Sequence, residues 1–248
     1  MIDFTVFRSN RKTLSLQVKH GQVVVRAPLH IDEKYIRSFV QKKDAWLKKK
    51  IFEQAKTKSL CCNFSQGSKI FLLGELVSLE IQYADASKKS GVLLAPSEVD
   101  TSIAQKLVVI LPARFTNKPV NANQLAHAVK KQLEGYFKQL AQDIILPKVE
   151  HYSQVTQLIP TSIKIRQYKA RWGSCNSRGE LSFNYLLMML PVNVIDYVVV
   201  HELCHLKHLN HSTYFWQLVA QYFPEYIKAK QWIKTHQSAL HWNSPSSP

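Results

Sequence analysis

Acidic side chains are scarce in this sequence. Seventeen Asp and Glu stand against 33 Lys and Arg over 248 residues, a formal net charge of +16. That excess suits polyanionic partners such as nucleic acid, nucleotides or acidic surfaces, and it also keeps a chain soluble. Cysteine is sparse too: there are four, with no C-x-x-C pair, and the adjacent Cys61 and Cys62 cannot readily bridge each other. No disulfide framework is implied, which fits a reducing compartment. The longest apolar tract, Leu186 to Val200, is interrupted by Pro191, Asn193 and Asp196, which argues against a membrane span. Met1-Ile2-Asp3-Phe4 lacks the basic and apolar regions of a signal peptide, so a cytoplasmic protein is expected. No internal repeat is visible. A hydrophobic fraction of 46% supports a packed core.

What is present centres on His201-Glu202-Leu203-Cys204-His205. Two imidazoles four residues apart on a helix project from one face and can grip one metal ion. A glutamate next to the first can take a proton from water at that ion. This is the H-E-x-x-H pattern of zinc hydrolases. Val194, Ile195, Val198, Val199, Leu203 and Leu206 make the segment apolar nearly all round, so a buried helix is predicted, with Asn193 as its N-cap. Ionisable groups in such a helix are costly unless they coordinate or hydrogen-bond something.

A catalytic zinc needs a third protein ligand and keeps the fourth position open. His208 and His211 compete. A straight helix carries His208 past the ion, whereas Asn210 can adopt the left-handed conformation that ends a helix and turns His211 back. His211 is the better candidate, with His208 as a solvated or supporting residue. Ser212 can cap the next helix, which buries Phe215, Trp216 and Val219.

Arg171-Trp172-Gly173-Ser174-Cys175, Asn184, the 198–205 block, Asn210-His211-Ser212 and Phe215-Trp216 together resemble the YgjP-like metal-dependent hydrolases, relatives of the SprT-type zinc metalloproteases. The motif-bearing resemblance runs from about Ile163 to Trp216. It implies a zincin-like C-terminal half with one Zn2+ on His201, His205 and His211, with Glu202 as general base. It also implies that the 171–175 segment and Asn184 lie near the site. Peptide hydrolysis is the activity most often attached to the family, and nucleotide hydrolysis has also been assigned within it.

The expected fold class is α+β: a β-rich N-terminal subdomain, residues 1–118, then a zincin-like metallohydrolase subdomain with a small sheet, residues 119–240, and a mobile tail, 241–248. In the first, Leu14–Val18 and Val23–Val25 flank a hairpin turn at His20-Gly21, and one long helix is predicted over about 32–58 with a lysine-rich outer side. Lys69–Leu73 and Leu76–Tyr83 flank a second hairpin at Gly74-Glu75, and Lys106–Leu111 is a further strand. In the second, Leu125, Val129, Leu133, Tyr136, Leu140 and Ile144 define a helix ending near Pro147. Ile163–Gln167 and Leu181–Phe183 read as strands, and helices are predicted over about 213–222 and 225–236.

The expected reaction is hydrolysis, with Glu202 accepting and returning a proton. Tyr185, Asn184, Tyr222 and Arg171 are candidates for a second oxyanion donor. An edge strand at 163–167 or 179–183 can pair with an extended peptide. Arg171, Trp172, Ser174, Asn184 and Arg178 are the candidate substrate contacts, although Trp172-Gly173 equally suits a tight packed turn. Three substrate readings follow: peptide, nucleoside triphosphate, or protein on nucleic acid held by the basic surface. The sequence leaves the oligomeric state open.

Overall fold

The computed structural model describes residues 2–58, 62–85, 89–97, 104–115, 121–168, 170–237, 239–240 and 242, except residue 20; side chains 19 and 53–58 are also outside the description. The chain divides into two compact units, residues 1–60 and 61–248.

Unit one opens with β1 (Phe4–Ser9), β2 (Ser15–Lys19) and β3 (Gln22–Pro28), in sheet order β1-β3-β2. The predicted hairpin joins β2 to β3 with Val18 opposite Val23, and β1 lies parallel to β3. Val23, Val25 and Ala27 alternate inward onto Ile36, Val40 and Leu47. The single helix expected over 32–58 is two: α1 (Glu33–Lys42), capped by the Asp32 carboxylate at 2.6 Å from the Tyr35 amide, and α2 (Asp44–Lys58). The break falls at Lys43, in a polar run that offers the core nothing to hold it straight. Ile36, Val40 and Leu47 keep one buried face across it.

Unit two begins with β4 (Lys69–Leu72), β5 (Glu75–Tyr83), β6 (Gly91–Pro96) and β7 (Gln105–Leu111), in order β4-β5-β7-β6. The hairpin predicted at Gly74 forms, and its turn is pressed against another element. The Leu73 amide donates to the Met188 carbonyl at 2.7 Å, and a Cβ on Gly74 would come 2.7 Å from the Pro191 ring. Helix α3 (Ala122–Thr156) starts at a capping box between Asn121 and Gln124 and packs on β6 and β7. This packing joins the four-stranded sheet to the helical half, so the compact division precedes β4. The boundary expected at 118–119 adjoins residues 116–120, which lie outside the description.

The predicted end of α3 near Pro147 is overturned: the helix runs on to Thr156. Pro147 and Asp143, whose carbonyl loses its partner, are both exposed, so water can take the missing bond. Meanwhile Ala141, Ile145, Val149 and Ser153 continue the buried stripe. That stripe runs through Ala126, Val129, Leu133 and Phe137; it includes Val129 and Leu133 of the line read from the sequence and passes beside its Leu125, Tyr136, Leu140 and Ile144.

A second small sheet, order β8-β10-β9, follows: β8 (Ser162–Arg166), β9 (Gly173–Cys175) and β10 (Glu180–Asn184). A fully buried 3-10 turn, Tyr185–Met189, leads into α4 (Val192–Cys204). The N-cap of α4 is Pro191, with Asn193 already inside the first turn; the Pro191 carbonyl accepts from Val194 and Ile195. Helices α5 (Thr213–Tyr222) and α6 (Tyr226–His236) fall where they were predicted. Ser212 caps α5, its Oγ accepting from the Phe215 amide. Trp242, assigned to the tail, instead packs its ring 4.9 Å from Phe137; residues 241 and 243–248 lie outside the description. No described helix is long and apolar enough to cross a membrane.

Candidate metal centre

Helix α4 presents His201 and His205 one turn apart. The chain then leaves the helix through short-range bonds, Leu206 to Leu203 and Lys207 to Cys204. Asn210 does not take the left-handed conformation expected of it. The turn still returns His211 to its partners. His211 Nε2 lies 3.1 Å from His201 Nε2, and the available nitrogens of the three histidines lie within 4.8 Å of one another. Nitrogens about 2.0–2.1 Å from one tetrahedral ion stand roughly 3.3 Å apart, so the donor set fits a divalent metal such as zinc.

The second ring nitrogens explain how these donors are aimed. His205 Nδ1 donates to the His208 carbonyl at 2.9 Å, which leaves Nε2 with its lone pair. His201 Nδ1 lies 3.4 Å from the Tyr197 hydroxyl, one turn earlier on α4. Aromatic rings enclose the cluster. Phe215 stacks on His205 at 4.4 Å, and Trp216 stacks on His211 at 5.5 Å. Burial pushes His201 down to about 3, helped by His205, His211 and Lys230. The ring is therefore neutral at physiological pH, as a ligand must be.

Glu202 is 5% exposed, and its pKa is raised to about 8 by burial, against which Arg171 acts. Gly173 on β9 explains how the carboxylate fits. A Cβ there would come 2.6 Å from Glu202 Oε1 and 2.6 Å from its Cγ. Glycine at this position leaves room for the acid. Cys175, two residues on, is raised by burial and by Glu202.

The three rings and Glu202 line a cavity of about 850 Å³. Of the candidate substrate contacts, Arg171, Trp172 and Ser174 line it. The Ser174 hydroxyl is 2.9 Å from that of Tyr168. Asn184 and Arg178 are not in the lining. The Asn184 side chain is buried; its amide donates to the carbonyls of Tyr168 and Arg171, both at 3.1 Å, and its oxygen accepts from Leu186. It holds the loop that carries Arg171. Arg178 pairs with Glu180 at 3.1 Å on the hairpin between β9 and β10.

Tyr185 and Tyr222, candidate oxyanion donors, are also absent from the lining; Tyr185 is fully buried. Tyr197, Tyr226, Lys230 and Lys234 line the cavity and were not singled out from the sequence. Tyr197 stood one helical turn before His201, a spacing that could have marked it. Nothing local marks the α6 residues. Between the candidate substrate strands, β10 is central, so 179–183 has no free edge. Both β8 and β9 are edges, and it is β9 whose residues line the cavity.

The sequence matches the family model "YgjP-like, metallopeptidase domain" over residues 12–236. Among solved structures, the metallopeptidase zymogen of Pyrococcus abyssi abylysin is similar at 24% identity, over 38% of this chain and 95% of its own, with a TM-score of 0.34. No curated protein matches. With nearly its whole length inside the family match, this chain belongs to the YgjP-like metallopeptidase family.

Proposed function

We propose that the protein is a zinc-dependent peptidase in which His201, His205 and His211 hold the ion and Glu202 moves the proton. The convergence of three imidazole nitrogens within 4.8 Å, two of them from the C-terminal end of the helix that also carries Glu202 and the third from the turn after it, supports the reading most directly. When bound, zinc lowers the pKa of water and polarises the scissile carbonyl. Glu202 takes the proton that the attacking water gives up and returns it to the leaving amine. Burial raises this carboxyl in the metal-free site, and a cation bound beside it would favour the charged form that accepts a proton. The β9 edge, Gly173–Cys175, offers main-chain groups to an extended peptide. Arg171 and Tyr197 line the same cavity and are candidates to share the oxyanion charge.

The test is hydrolysis of a mixed peptide library by zinc-loaded protein, with Glu202→Gln as control. The variant should retain zinc and lose about 10²–10⁴-fold in turnover. Full turnover in the variant would remove Glu202 from the chemistry. The cations that line the cavity also suit a triphosphate, which favours nucleoside triphosphate hydrolysis as a second reading. Hydrolysis of nucleotides but not peptides, abolished by Glu202→Gln, would select it.

A further inference from the structure

Among the described residues, Glu202 is the only acid in the cavity lining, whereas Arg171, Lys230 and Lys234 are all cations. Lys230 and Lys234 stand four residues apart on α6 and so share a face. The Lys230 ammonium lies 3.8 Å from the centre of the Trp216 ring, and Trp216 stacks on His211. That charge is one ring away from a histidine of the triad. Lys228, on the same helix, is paired with Glu225 at 2.6 Å. Among the described residues, Lys230 and Lys234 have no such carboxylate partner, and Arg171 acts on Glu202 without a close ion pair. All three are solvent-exposed, and they also line the cavity, where Lys230 lies over aromatic rings.

We infer that the cavity selects peptides carrying a carboxylate beside the scissile bond, with Lys230 as its principal receptor and Lys234 and Arg171 adding to the positive field. The inference rests on the peptidase reading above and names its substrate class. An ammonium has three donors, and with a carboxylate it also gains the attraction between opposite charges, which a neutral amide oxygen does not offer. A peptide whose acid is replaced by the matching amide keeps its shape and loses that advantage. The carboxylate can belong to an Asp or Glu side chain or to the peptide's C-terminus.

Paired peptides that differ only as acid and amide distinguish these sources. One arm compares internal Asp or Glu with Asn or Gln in amidated peptides. The other compares free with amidated C-termini in peptides that have no internal acid. For the zinc-loaded full chain, kcat/KM should favour the acid about tenfold or more in at least one arm. The preference should collapse toward one in Lys230→Met, fall severalfold in Lys234→Gln and return in Lys230→Arg, with circular dichroism matching the wild type. A ratio near one in both arms, or a preference that survives in both neutral variants, would overturn the proposal.

Fluorescence anisotropy with zinc-loaded Glu202→Gln measures the same preference as binding. Acid-selective binding that needs Lys230, without cleavage of any peptide by the wild type, would uphold the anion-selective cavity and sink the peptidase reading. Cleavage without acid preference would do the reverse.

Discussion

His205 and His208 are joined through the backbone: the ring of the first donates to the main-chain carbonyl of the second at 2.9 Å. The His208 side chain faces elsewhere, toward Tyr214 at 6.4 Å. His208→Ala should therefore retain stoichiometric zinc, whereas His211→Ala should lose it. Zinc analysis after dialysis checks both, and normal content in the second variant would refute the ligand assignment.

The other oriented ring is tested through Tyr197. Tyr197→Phe removes the hydroxyl near His201 Nδ1 and keeps the packing of the ring. Loss of such a supporting partner typically weakens metal binding by about 10–100-fold. Competition with a zinc chelator should read that change, and unchanged affinity would show that the contact does not aim the ligand.

Gly173→Ala asks whether the acid needs the space beside it. The added methyl would overlap the Glu202 carboxylate, so one of the two must shift. A displacement of about 1 Å at a reacting group can cost about 10²-fold. Turnover should fall by that order while the three-histidine site still takes up zinc. Wild-type turnover would show that Glu202 works from a different position.

Two buried groups give the metal-free protein opposing pH slopes. Folding holds His201 down at about 3 against 6.5, so stability is lost as pH falls through that window. It holds Glu202 up at about 8 against 4.5, so stability is present below 4.5 and lost as pH rises toward 8. Between 4.5 and 6.5 the two offset. From 6.5 to 8 Glu202 acts alone, at a cost of about 2 kcal/mol. Urea unfolding in EDTA should show this loss in the wild type relative to Glu202→Gln. Identical profiles would mean that the carboxyl titrates normally.

Asn184→Ala would leave two loop carbonyls and the Leu186 amide without their present partner. A destabilisation of about 3 kcal/mol is expected, together with a raised KM as the Arg171 loop loosens. Asn184→Asp keeps the acceptor for Leu186 but not the donors, so it should recover only part of the stability. Full recovery would place the importance of Asn184 on Leu186 alone.

Local signals carried much of this structure in the sequence. The His201, Glu202 and His205 spacing, the Ser212 cap and both N-terminal hairpins depend on neighbours within a few residues. Features decided by distant packing were not legible. Pro147 reads as a stop, yet exposure satisfies the orphaned carbonyl while Ile145 and Val149 hold the helix in place. Asn184 reads as a substrate contact through the family resemblance, but its amide is spent on the backbone of a loop more than ten residues away. Lys230 and Lys234 look like ordinary surface charge until α6 brings them to the cavity. The space at Gly173 becomes meaningful only when β9 meets α4.

The Leu73-Gly74 turn has a practical consequence for anyone seeking a minimal catalytic fragment. Its contacts with Met188 and Pro191 brace the entrance to the metal-bearing helix from a sheet far upstream. Excising only the signature region for grafting or miniaturisation would expose that entrance and leave its apolar surface uncovered. A fragment meant to keep those contacts has to begin before β4, a length set by scaffolding and not by chemistry.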